Sequence, residues 1–165
     1  MNVQKARLED AEEIFNLQKL AYQSEAEIYN DYTIPPLTQT LEKIRHDFSD
    51  HYFLKAVVND QIAGSVKANS VSGTCFIGRL IVHPNYQRRG IGTQLMHTIE
   101  EQFQTNHRYE LFTGHKSEGN LRLYRRLGYK EFKREKVHEV LTLIFMEKLT
   151  SIDESTNKQF SVELD

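Results

Sequence analysis

The sequence predicts one α/β domain built on a mixed sheet of about seven strands with flanking helices. Three observations predict it. In the first half, apolar segments are separated by tight-turn residues, which joins strands as hairpins. In the second half, similar segments alternate with helical periods, which joins them by crossovers. The third is the run Arg79-Leu80-Ile81-Val82-His83-Pro84-Asn85-Tyr86-Gln87-Arg88-Arg89-Gly90-Ile91-Gly92-Thr93. It reads as an apolar strand, a short loop and a glycine-spaced turn that opens a helix.

Asn2 to Arg7 form a first strand. Asp10 caps the next helix, with Glu13 three residues on as a capping box. Ile14, Leu17 and Ala21 give that helix its inward face. Ser24 to Leu37 carry Pro35 and Pro36 and no period, so they read as a loop. The loop is rich in Glu and Tyr, which makes it a candidate binding segment. Thr38 caps a second helix with Leu41, Ile44 and Phe48 on one side. Tyr52 to Val58 and Ile62 to Asn69 flank the hairpin signal Asn59-Asp60-Gln61, and Ser72-Gly73 leads into Thr74 to Val82. The helix Gly90 to Gln104 aligns Ile91, Leu95, Ile99 and Phe103, then crosses to a fifth strand, Tyr109 to Thr113. A short helix, Asn120 to Leu127, ends at Gly128, the expected left-handed C-terminal residue. Lys130 to Glu135 and Glu139 to Glu147 are the last two strands. The domain is expected to span 1–149, and 150–165 form a polar, aperiodic tail.

Composition narrows the function classes. A chain of 165 residues is one domain by size. A net charge of −2 gives no global pull toward nucleic acid or an anionic membrane. The single cysteine, Cys75, excludes an internal disulfide and a cysteine-rich zinc site, and its apolar neighbours make it a core residue. The N-terminus lacks an apolar signal core, and no apolar run approaches the roughly 18 residues of a membrane span. The expected location is the cytoplasm. No histidine spacing suits a metal, so none is predicted.

The glycine turn carries the chemistry. A helix N-terminus offers unpaired N–H groups and a partial positive charge, so a turn at Gly90 and Gly92 is built to hold an anion such as a pyrophosphate. A Walker loop would need Lys-Ser or Lys-Thr after its last glycine, and none is present. A dinucleotide fingerprint would need a third glycine where Leu95 stands.

Val82-x-Pro84-x-Tyr86-Gln87-x-x-Gly90-x-Gly92 resembles the acetyl-CoA pyrophosphate loop of the GCN5-related N-acetyltransferase (GNAT) family. Downstream, Asn120-Leu121-x-Leu123-Tyr124-x-x-Leu127-Gly128-Tyr129-x-x-Phe132 resembles that family's second cofactor segment. The resemblance implies a mixed, mostly antiparallel sheet that splays beside the fourth strand, with acetyl-CoA as co-substrate. It implies that the backbone of Leu80, Ile81 and Val82 pairs with the pantetheine arm. Gln87, Arg88, Arg89, Gly90, Ile91, Gly92 and Thr93 would hold the pyrophosphate. Asn120 would contact the cofactor, and Tyr124 would give a proton to the departing thiolate.

The general base stays open at this level. Many relatives carry a Glu four positions before the matching Val, and here that position is Gly78. Glu25, Glu27, His115 and Glu118 are the alternatives, of which His115 brings an imidazole, the side chain suited to a base at neutral pH, and follows a strand end. Glu27, Tyr32 and His115 are the candidate acceptor contacts, because the acidic segment Glu25 to Tyr32 can attract a cationic amine. Two functions follow from these residues. The first is an N-acetyltransferase moving acetyl to a primary amine, on a small molecule or a protein, by direct transfer in a ternary complex. The second, prompted by Gly78, is a non-catalytic acyl-CoA-binding or regulatory module on the same fold. Nucleic-acid binding ranks third: Arg122, Arg125 and Arg126 form a basic face, but the net charge is negative. A monomer and a homodimer are both compatible with the resemblance.

Overall fold

The computed structural model describes residues 1–150. Strands β1 (Asn2–Lys5), β2 (Tyr52–Val58), β3 (Gln61–Val71), β4 (Thr74–Val82), β5 (Arg108–Gly114), β6 (Lys130–His138) and β7 (Leu141–Leu149) form one sheet. Their order is β1-β2-β3-β4-β5-β7-β6. The helices are α1 (Ala11–Ala21), α2 (Gln23–Tyr29), α3 (Pro35–Thr38), α4 (Leu41–Asp47), α5 (Ile91–Gln102) and α6 (Glu118–Arg126).

Turn chemistry builds the first half. Asn59 and Asp60 both take positive φ, as do Ser72 and Gly73. Such paired left-handed residues match the twist of two-residue hairpins. These turns join β2 to β3 and β3 to β4 as antiparallel pairs. The helix α5 then forces a crossover, so β4 and β5 are parallel.

That parallel pair is short. Thr74, Cys75 and Phe76 pair with Arg108, Tyr109 and Glu110, and no pairing continues beyond them. The upper halves of β4 and β5 therefore part. A β-bulge adds to the bend: β4 carries one residue more than β3 between the pairs Ser65–Ile81 and Lys67–Gly78. Arg79 sits in this bulge with φ 51°.

Two cores hold the sheet. Leu95, Met96 and Ile99 of α5 pack against Val66, Ala68 and Cys75 on one face. Ile14 and Leu17 of α1 pack with Phe53, Ile62 and Ile81 on the other. Burial pushes the Cys75 thiol up to about 12, which agrees with a core role. Behind α1, the buried carboxylate of Asp47 accepts from Lys43 Nζ at 2.9 Å, Lys67 Nζ at 3.0 Å and Gln39 Nε2 at 3.0 Å.

Four local expectations change. The loop expected over Ser24–Leu37 contains α2 and the single turn α3. Ala26 and Tyr29 are buried three apart on α2, a helical face too short to register between polar neighbours. Asp10 does not cap α1 through its side chain; it accepts from Arg7 N at 2.8 Å. Glu13 reaches across to Ile62 N at 2.9 Å instead of closing a capping box. The cap of α4 is Thr40, whose hydroxyl accepts from Lys43 N at 3.1 Å, not Thr38. Thr150, expected in the tail, is buried and donates its N–H to His107 O at 3.0 Å. The rest of the expected tail, 151–165, lies outside the described residues. No described helix is long and apolar enough to cross a membrane.

Candidate functional site

Where β4 and β5 part, a cleft of about 680 Å³ opens. Leu80, Ile81 and Val82 form one wall. Gln87, Arg88 and Gly90 to Thr93 form the next, and Asn120, Arg122, Leu123 and Arg126 of α6 stand opposite. Tyr22, Glu25 and Ile28, at the junction of α1 and α2, close the far end.

The glycine turn has the geometry of an anion site. Gly90 is the N-cap residue of α5, with φ 80° and no side-chain cap. The first helical bond runs from Gln94 N to Gly90 O at 3.0 Å. The N–H groups of Ile91, Gly92 and Thr93 therefore lie in the first turn, where a helix supplies no acceptor. Arg88 also takes positive φ, at 61°. Arg89 instead lies over the Tyr86 ring at 5.1 Å and does not line the cleft. A Cβ on Gly92 would meet Leu123 at an ordinary 3.5 Å, so the fold itself does not demand glycine there.

The far end is organised by residues distant in sequence. Ser117, the N-cap residue of α6, spends no side-chain bond on its helix; its hydroxyl donates to the Glu25 carboxylate. Tyr29 Oη lies 2.8 Å from Ser117 Oγ and accepts from Lys116 N at 2.9 Å. This contact needs Gly114: a Cβ there would stand 2.0 Å from Tyr29 Oη. Glu25 is thus fixed at the cleft wall by a chain of bonds reaching the end of β5.

Tyr124 is 5% exposed and makes no hydrogen bond through its hydroxyl among the described residues. It lies just behind the lining. Burial raises its pKa well above the usual 10, and the nearby Tyr22 and Glu25 charges raise it further. A phenol holds its proton more tightly than a thiol of pKa about 8.5, so full transfer to a free thiolate is uphill. What a neutral phenol offers at this position is a hydrogen-bond donor.

Asn120 lines the cleft and donates to Thr113 Oγ1 at 3.3 Å. Glu118 lines it too. Glu27 and Tyr32 are exposed and outside the lining. His115 is also outside it: its Nδ1 accepts from Thr142 N at 3.0 Å, and its ring lies 5.9 Å from Tyr29. Gly78 leaves open space, with nothing within 4 Å of an added Cβ. Sequence reasoning missed Tyr22, Ser117 and Arg79. No local pattern reveals that Tyr22 and Ser117 face Glu25. Among the described residues, Asp47, Asp50 and His51 bring three potential metal-ligand atoms within 4.8 Å of one another. Lys43 and Lys67 already engage both oxygens of Asp47.

A model of the acetyltransferase (GNAT) family matches residues 11–129, a span containing both the glycine turn and α6. The chain belongs to the GNAT family. Solved GNAT-like structures superpose on nearly its whole length. The PaiA N-acetyltransferase of Thermoplasma acidophilum in complex with coenzyme A is 17% identical, with TM-score 0.75, covering 90% of this chain and 98% of that one. The ribosomal-protein-S18-alanine N-acetyltransferase of Escherichia coli is 14% identical, with TM-score 0.76, covering 91% and 94%. The smu.2055 protein of Streptococcus mutans UA159 is 17% identical, with TM-score 0.78, covering 90% and 99%. At these identities the likeness concerns the fold. No curated protein matches the sequence.

Proposed function

We propose that this GNAT protein transfers an acetyl group from acetyl-CoA to a primary amine, directly, within a ternary complex. The observation that carries the reading is the cleft itself. One end offers an uncapped helix N-terminus and parted strands, and the other offers a carboxylate beside a phenol.

The roles follow from position. The first-turn N–H groups of α5, with Gln87 and Arg88, receive the pyrophosphate. Arg89, held over Tyr86, contributes positive field from outside the cleft. The backbone of Leu80 to Val82, unpaired on the β5 side, takes the amides of the pantetheine arm as an added strand. Asn120 faces the same arm. Glu25, directly or through one water, accepts a proton from the incoming ammonium. The free amine nitrogen attacks the thioester carbonyl carbon; the N–C bond forms, the C–S bond breaks, sulfur leaves with the electron pair, and the new amide nitrogen gives its second proton to solvent. Tyr124 donates a hydrogen bond to that sulfur, which takes its final proton from solvent. Glu25 replaces the absent carboxylate at Gly78, which removes the motive for a non-catalytic module.

Thiol release from acetyl-CoA across a panel of primary amines tests the reading, with acetyl-CoA affinity measured by calorimetry. Release with one amine class, reduced at least tenfold in Tyr124→Phe at unchanged affinity, is expected. Tight acetyl-CoA binding without release from any amine would favour the binding-module reading. No acetyl-CoA binding would overturn both.

A further inference from the structure

Arg79, next to the cleft-lining Leu80, carries an unsatisfied polar atom. Its Nε is buried and has no hydrogen-bond partner among the described residues. No carboxylate forms an ion pair with it among the described residues, although the molecule pairs most of its other internal cations. A buried donor left without an acceptor is destabilising, and more so when the group is charged. Arg79 also holds φ 51°, a left-handed conformation that a long side chain rarely adopts. Two unfavourable features at one residue beside a reaction cleft point to a missing partner.

The bulge decides where Arg79 looks. Ile77 and Leu80 both pack into the core on the α5 face. The two residues between them, Gly78 and Arg79, are therefore turned to the α1 face. There the guanidinium lies beside the hydroxyl of Tyr22, which lines the cleft. Lys67, opposite Gly78 in the sheet, adds a second positive charge, but Asp47 already matches it. The room for a partner exists: above Gly78 nothing lies within 4 Å of an added Cβ. The Glu25 carboxylate lines the far end of the cleft; Gly78 and Arg79 lie outside the lining, and Arg79 meets it through the Tyr22 hydroxyl. A cation without a carboxylate partner thus stands behind the strand side of this end, and an anion lines the helix side.

Resting on the acetyltransferase reading, we infer that the acceptor is an amine that also carries a carboxylate, an amino acid in the broad sense. Its ammonium faces Glu25, and its carboxylate enters the space above Gly78 to meet Arg79. A guanidinium fork matches a carboxylate through two parallel N–H···O bonds, which would satisfy the orphaned Nε.

The test compares acids with their amides. L-amino acids, β-alanine and 4-aminobutanoate, each beside its primary amide, are assayed for thiol release. They are also titrated calorimetrically into the protein saturated with coenzyme A, where no reaction occurs. At least one acid is expected to exceed its amide tenfold or more in both readouts. Arg79→Met should bring the ratio below about twofold, and Arg79→Lys should keep part of it. Gly78→Glu, placed in open space, should abolish the preference by filling the anion's position with the chain's own carboxylate. Equal behaviour of acids and amides, or a preference unchanged in Arg79→Met, overturns the inference while leaving the acetyltransferase reading intact. Absence of release with every amine defeats the acetyltransferase reading. The calorimetric ratio then still decides the carboxylate site, and no acid binding rejects it.

Discussion

Glu25, the base we propose, shows how much of a candidate site residue is written in its own neighbourhood and how much is not. The segment Glu25 to Tyr32 is visibly acidic and aromatic in sequence, so a binding role is legible there. Which carboxylate lines the cleft is not, because the contact that fixes it comes from Ser117, 92 positions away. The same fold leaves Glu27 on the outer side of α2 and holds His115 against Thr142. The motif around Tyr124 is legible because its spacing is local, yet the raised proton affinity of the phenol is not, since that depends on burial by other elements. Replacing Glu25 by Gln keeps the hydrogen bond from Ser117 and removes the proton acceptor. Turnover is expected to fall about 100-fold, the range of a lost general base. Acetyl-CoA affinity should stay within about twofold. Turnover within about twofold of the native protein would assign the base elsewhere.

At the scale of elements, strands and hairpins were read almost as they stand, because paired turn residues and alternation are local signals. The junction of α1 and α2 was not. Tyr29 sits in α2 because its hydroxyl reaches the turn after β5, and that reach depends on the missing side chain of Gly114. Neither residue announces this alone. Gly114→Ala places a methyl where the Tyr29 phenol stands, so Tyr29 must move and take α2 with it. Overpacking of this kind costs about 1–3 kcal/mol. Because α2 also carries Glu25, the variant should lose turnover more than tenfold, while the anion site at Gly90 to Thr93 still binds acetyl-CoA. Unfolding midpoint, affinity and turnover measured on one preparation separate these effects. Equal loss of affinity and turnover would mean that the two ends of the cleft are not independently built.

For the whole molecule, neighbouring strands could be inferred where turns join them, but the insertion of β7 between β5 and β6 could not. It rests on pairing between segments far apart in sequence, which no local pattern encodes. The helical layer over β3 is likewise anchored by a non-local device. Asp47 of α4 binds Lys67 of β3, and Gln39 connects it to Gln18 of α1. Burial alone would raise the Asp47 pKa, but hydrogen bonds and charge from Lys43 and Lys67 outweigh it and hold the carboxyl below the usual 3.8. A carboxylate depressed in the folded state binds fewer protons there than in the unfolded chain. Its contribution is therefore complete above about pH 5 and is lost as pH falls through 3.8 toward the folded value. Asp47→Asn leaves Lys67 buried without its counter-ion, which is expected to cost about 3 kcal/mol at pH 7. Urea unfolding of both proteins from pH 7 to pH 3 checks the sign as well as the size. The native protein should lose more stability than Asp47→Asn over the acid part of that range, so the two curves converge on acidification. Parallel curves would mean that the Asp47 carboxylate does not anchor the helical layer through its charge.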